Sequence, residues 1–132
     1  MATDKTALII GASRGLGLAL ASEFSRRQYN VIATSRQSSP KLAELDAQCS
    51  GRVTTETVDV VDLESVRALY ERLNGHKLDV LFVNAGVCKA NELTPLQVDE
   101  SDFLDMMLTN ALSPMRIVEM FHNLVAENGV IA

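Results

Sequence analysis

A chain of 132 residues with 47% hydrophobic side chains has the length of one domain and enough apolar material for one core. Its net charge of −5 and pI of about 4.9, without any basic run, exclude the electrostatic footprint of a nucleic-acid binder, so an anionic ligand has to be held by local groups. No apolar stretch is long enough to span a bilayer, and Met1-Ala2-Thr3-Asp4-Lys5 has the wrong charge pattern for a secretory leader; the expectation is a soluble, cytoplasmic protein, and Cys49 and Cys88, far apart and without CxxC spacing, read as reduced thiols.

In chain order, Thr6 to Ile10 is a continuous apolar run of the kind buried on both faces of a parallel sheet. Gly11-Ala12-Ser13-Arg14-Gly15-Leu16-Gly17 follows, then a helix with Leu16, Ala19, Leu20 and Phe24 as its inner face, ending near Arg27. Val31-Ile32-Ala33 is a second strand. Ser39 as N-cap and Pro40 at the first helical position open a helix running to about Cys49. Val53 to Val60 is a third strand, and Asp62 caps a helix whose inner face is Leu63, Val66, Leu69, Tyr70 and Leu73, closed by Asn74-Gly75. Leu78 to Val83 is a fourth strand, and Ala85 to Asp99 a loop-rich crossing containing Pro95. A long helix is predicted from about Glu100 to Ala126, with Phe103, Met106, Met107, Asn110, Ile117, Phe121 and Leu124 as its stripe; Asn128-Gly129 then turns into a fifth strand at Val130-Ile131-Ala132. Strands alternating with helices imply right-handed crossovers, so residues 1–132 read as one α/β domain with a doubly wound parallel sheet.

The glycine triplet between a strand and a helix carries the chemistry. Gly11 permits a tight turn, Gly15 lets backbone approach a pyrophosphate, and Gly17 lets the helix pack on the sheet, while the helix N-terminus offers free N–H groups to an anion. The spacing Gly-x-x-x-Gly-x-Gly, with Ala12-Ser13 inside it, resembles the short-chain dehydrogenase/reductase family. Asp59-Val60, Asn84-Ala85-Gly86 and Asn110 agree in order and spacing with further landmarks of that family, so the resemblance covers Lys5 to Ala132. The stretch Leu78 to Gly86 looks most like the bacterial C-factor branch. Ile10 and Val83 depart from the family pattern, where a threonine and an asparagine brace neighbouring strands and turns.

The resemblance implies an NAD(P)-binding Rossmann fold, here ending inside the fifth strand, with the cofactor held by Gly11, Ser13, Arg14, Gly15, Leu16, Gly17, Ser35, Arg36, Asp59, Val60, Asn84, Ala85 and Gly86. Asp59-Val60 would contact the adenine ring. At the end of the second strand Thr34-Ser35-Arg36 carries no acid to repel a 2′-phosphate, and Arg36 and Arg14 suit one, so NADP(H) is expected over NAD(H). The implied reaction is hydride transfer between nicotinamide and a small carbonyl or alcohol, with a serine, a tyrosine and a lysine downstream of this sequence. Asn110 matches the catalytic asparagine. Pro114, four residues later, lacks the N–H that the Asn110 carbonyl would ordinarily receive, which frees that carbonyl for a water in a proton relay.

Tyr29, Tyr70, His76 and His122 fit none of these roles, and Asp99, Glu100, Asp102 and Asp105 read as helix-dipole compensation rather than a metal site. Met106-Met107 reads as core packing or part of a subunit contact, and homodimers or homotetramers are expected. The chain is expected to be the cofactor-binding portion of a longer enzyme, inactive by itself and prone to self-association through its fifth strand. The competing expectations are a non-catalytic NADP(H)-binding sensor or signalling module, and an interaction protein with a vestigial glycine turn.

Overall fold

The computed structural model describes residues 4–132; Met1-Ala2-Thr3, most of the segment read as unlike a leader, lie outside the described residues. Strand β1 (Thr6–Ile10), helix α1 (Gly15–Arg26), β2 (Asn30–Ser35), α2 (Pro40–Gln48), β3 (Val53–Thr57), α3 (Leu63–Arg72) and β4 (Leu78–Val83) alternate without a break. Then come α4 (Glu100–Met107), a π-helical turn (Leu108–Leu112), α5 (Ser113–Phe121), a 3-10 turn (His122–Leu124) and β5 (Val125–Ile131). All five strands are parallel in the order β3-β2-β1-β4-β5. This is a doubly wound sheet, whose switch point falls between β1 and β4.

Alternation along the central strands divides the core. Leu8, Ile10, Ile32 and Leu81 meet Val66 and Leu69 of α3 and Ile117 and Phe121 of α5 on one face. Ile9, Val31 and Ala33 meet Ala21 of α1 and Leu42 and Leu45 of α2 on the other. The expected caps are present: Ser39 Oγ accepts the Leu42 N–H at 3.4 Å, and Asp62 Oδ1 accepts the Glu64 N–H at 3.0 Å.

Five expectations are corrected. Strand β2 is longer than Val31–Ala33, because pairing with β3 continues through Thr34 and Ser35; β3 ends at Thr57 rather than Val60, because the pairing stops there. The buried line of α1 is Gly17, Ala21 and Ser25, while Leu16 is 61% exposed; small side chains bring this helix close to the sheet. The helix expected over Glu100–Ala126 is broken by the π-helical turn and ends at Phe121. The extra residue in that turn rotates the helix phase by about 100°. It takes Phe103, Met107 and Asn110 off the line of Ser113, Ile117 and Phe121, and α4 has no buried residue. Strand β5 begins at Val125, five residues before the expected start. Asn128-Gly129 forms a bulge within it: Leu78 pairs with Val125 and Val80 with Val130, so the register slips between the two.

Candidate functional site

Three strand ends hold the turn after β1. The Gly11 N–H donates to Thr34 Oγ1 at 3.0 Å, and the Ala12 N–H donates to the Thr34 carbonyl at 2.7 Å. From the other side, Asn84 Nδ2 donates to the Gly11 carbonyl at 3.0 Å, and the Asn84 N–H to the Ile10 carbonyl at 2.8 Å. Thr34 and Asn84 thus do the bracing that Ile10 and Val83 cannot. A Cβ on Gly11 would lie 2.7 Å from the Ala85 nitrogen; one on Gly17 would overlap the Gly11 carbonyl oxygen and lie 2.8 Å from Asn84 Nδ2. At Gly15 a Cβ would meet no protein atom within 4 Å. The first and third glycines serve contact within the protein, and the middle one leaves open space.

Helix α1 starts at this turn without a side-chain cap. Its first N–H groups have no side-chain acceptor and carry the positive end of the helix dipole. Beside it a cleft of about 280 Å³ opens at the C-terminal ends of β1, β2, and β4. Of the residues expected at a ligand, Gly11, Ser13, Arg14, Ser35, Arg36, Asp59, Val60, Asn84, Ala85 and Gly86 line it. Gly15, Leu16, Gly17 and Asn110 stand outside its wall, with Gly17 buried under the turn. Thr34, Val58, Val61, Val87 and Thr109 line it as well. Sequence reasoning missed these because each neighbours a motif residue without belonging to the motif. Asp59 folds onto its own segment: its N–H donates to Ser65 Oγ at 2.9 Å, and its Oδ1 accepts the Val61 N–H at 3.2 Å.

Asn110 is exposed, not set on a buried stripe. Its side chain clamps the segment after β4: Oδ1 accepts the Val87 N–H at 2.8 Å, and Nδ2 donates to the Val87 carbonyl at 2.7 Å. The π-helical turn explains its main chain. The Ser113 N–H goes to the Leu108 carbonyl, and Ser113 Oγ donates to the same oxygen at 2.7 Å. The Thr109 carbonyl therefore loses its ordinary donor to Leu108, and the Asn110 carbonyl faces Pro114, which has none. Two successive carbonyls, rather than the one expected, thus lack their ordinary i+4 donor.

The other candidates lie away from the cleft. Lys89 Nζ pairs with Asp105 at 2.6 Å and Asp102 at 3.3 Å; the Asp105 carboxylate, then Asp102, raises the ammonium above its ordinary pKa. The acidic cluster thus anchors a loop as well as opening α4. Tyr29 packs edge-on against Phe24, and the Tyr70 hydroxyl accepts from Asn123 Nδ2 at 2.8 Å. His76 Nδ1 lies 3.1 Å from the Leu73 carbonyl, and His122 Nδ1 lies 2.7 Å from that of Glu119. Cys49 and Cys88 are free thiols. Among the described residues, no group of three or more potential metal ligands converges, and no helix is long and apolar enough to cross a membrane.

Comparison with known proteins agrees with this geometry. The family model for short chain dehydrogenases matches residues 5–132. The chain is 34% identical over 127 residues to the short-chain dehydrogenase fogD of Aspergillus ruber, covering 93% of this chain and 42% of that protein. It is 36% identical over 106 residues to the oxidoreductase UcpA of Escherichia coli, covering 76% and 40%. Among solved structures, one from Burkholderia multivorans, described as a short-chain dehydrogenase/reductase with bound NADP, superposes with a TM-score of 0.93 at 43% identity, over 98% of this chain and 57% of that one. A carbonyl reductase from Pseudomonas aeruginosa in complex with NADP gives a TM-score of 0.92 at 32% identity, over the same shares. The chain thus spans about two-fifths of the length of these two curated relatives.

Proposed function

Because the chain belongs to the short-chain dehydrogenase family, we propose that it forms the NADP(H)-holding part of an oxidoreductase acting on a small carbonyl or alcohol. The bound nicotinamide would supply hydride donation and acceptance. The chain's own residues bind and orient. Ser13, Arg14, Gly15 and Leu16 offer backbone amides and a helix N-terminus to a pyrophosphate, while Gly11 and Gly17 shape the turn that presents them. Asp59 and Val60 flank an adenine ring, and Asn84, Ala85 and Gly86 form the opposite wall. Asn110 is a positioning residue on this reading. Its side chain fixes Val87, and its carbonyl, lacking an i+4 donor, is available to orient a water.

The observation that carries the cofactor preference is the end of β2, where Ser35 and Arg36 face the same cleft as Arg14 and no acid follows the strand. A carboxylate here would repel a 2′-phosphate, whereas guanidinium groups match its oxygens in pairs. Titration of Arg36→Asp is expected to show NADPH binding weakened by at least about tenfold and NADH binding changed by less than about twofold. Equal losses for both nucleotides overturn the preference. The groups for proton transfer, and with them turnover, belong on this reading to the additional length that the relatives carry. The assembled enzyme is proposed to be a cytoplasmic homodimer or homotetramer.

A further inference from the structure

A second concavity, of about 460 Å³, adjoins the first and shares Ser13, Arg14, Ser35 and Arg36 with it. Its far wall is the start of α2, where it adds Lys41 to the two arginines; no Asp or Glu lines it. We propose that Lys41 is a third cation of the 2′-phosphate site and a determinant of nucleotide specificity. The proposal rests on the NADP(H) reading above.

Two observations support it beyond proximity. First, five of this chain's cations are spent on carboxylates: Arg26, Arg27, Arg67, Arg72 and Lys89 form ion pairs. Among the described residues, Lys5, Arg14, Arg36, Lys41, Arg52, Lys77 and Arg116 form none, and three of these, Arg14, Arg36 and Lys41, gather around this one concavity. In a chain of net charge −5, three unmatched cations around one concavity produce a local positive field that a dianionic phosphate would neutralise. Second, Lys41 sits in the first turn of α2, which contains no acidic residue. A cation there opposes the helix dipole, and this is unfavourable unless an anion shares the site.

The backbone that carries Lys41 is held in place. Pro40 sets the backbone at the first helical position. Ser39 Oγ accepts the Leu42 N–H at 3.4 Å and donates to the Ser13 carbonyl at 3.4 Å. The first turn of α2 is thereby tied to the glycine turn that carries Arg14. The two arginines can supply planar paired donors, and the ammonium a compact charge on a flexible stem that closes the third side.

The test is calorimetric titration of the wild type and of Lys41→Ala, Lys41→Glu and Arg36→Ala with NADPH, NADH and adenosine 2′,5′-bisphosphate. Lys77→Glu, at an exposed position ahead of β4 and so at the opposite end of the sheet, controls for net charge. Lys41→Ala is expected to weaken NADPH and the bisphosphate about fivefold, and Lys41→Glu about thirtyfold. NADH should stay within about twofold for both, which also reports that they fold, and added salt should shrink the differences. Unchanged NADPH affinity in both Lys41 variants, with Arg36→Ala impaired, overturns the role of Lys41 and leaves the cofactor reading standing. Equal losses for NADPH and NADH, or a matching loss in Lys77→Glu, overturn it too. A wild type that fails to prefer NADPH over NADH overturns both readings together.

Discussion

Gly17 occupies a position where even one carbon has no room. The carbonyl of Gly11 fills the space a Cβ would need, and the Asn84 amide stands beside it. Neither neighbour can retreat, since Asn84 Nδ2 bonds that carbonyl and the Asn84 N–H bonds Ile10. Gly17→Ala is therefore expected to cost at least about 3 kcal/mol, more than ordinary overpacking, because the obstacle is hydrogen-bonded backbone. A urea midpoint within error of the wild type would contradict the packing described. Asn110 shows the reverse case, a polar residue satisfied at the surface. Its amide matches the N–H and C=O of one residue and pairs with Val87 as a neighbouring strand would.

The break between α4 and α5 depends on Ser113 and Pro114. Proline removes one donor from the ladder, and Ser113, fully buried, gives both its N–H and its hydroxyl to Leu108. Ser113→Ala should cost about 1 kcal/mol, read as a lowered denaturation midpoint, with faster amide exchange confined to residues 108–113. Uniformly faster exchange would show that the hydroxyl supports the whole domain rather than the turn. This break also marks where sequence reasoning stopped. The apolar runs of β1 and β4, the Ser39-Pro40 helix start and the glycine turn were readable because each has one local cause. The phase of α4 was not, because the i+5 bond that shifts it leaves no periodic trace. Nor was the start of β5: Asn128-Gly129 has the composition of a turn, and only pairing with Leu78 and Val80 makes it a bulge. Size misled the reading of α1 in part: Leu20 and Phe24 do pack half-buried against the core, but the buried line is Gly17, Ala21 and Ser25, and Leu16 and Ala19 are exposed. At the site, the motif residues were readable, whereas Thr34 and Thr109 required the fold to bring them to the same cleft.

Across the molecule the two faces of the sheet are unevenly covered. Helices α1 and α2 protect β1 and β2, but on their side Val80 and Phe82 of β4 are only half-buried, and Val130, paired with Val80, is 55% exposed. β5 is also the outer strand of the sheet. An apolar face next to an open strand edge favours association. Sedimentation of residues 1–132 should show mass increasing with concentration, and Val130→Lys should shift the distribution toward monomer; a monomer at all concentrations would refute this. The pins on Gly11 have a different consequence, in time rather than space. Its N–H waits for Thr34, 23 residues later, and its carbonyl for Asn84, 73 residues later. On a translating ribosome the nucleotide turn is made near the beginning of the chain, yet it cannot set until more than half of the described polypeptide has emerged.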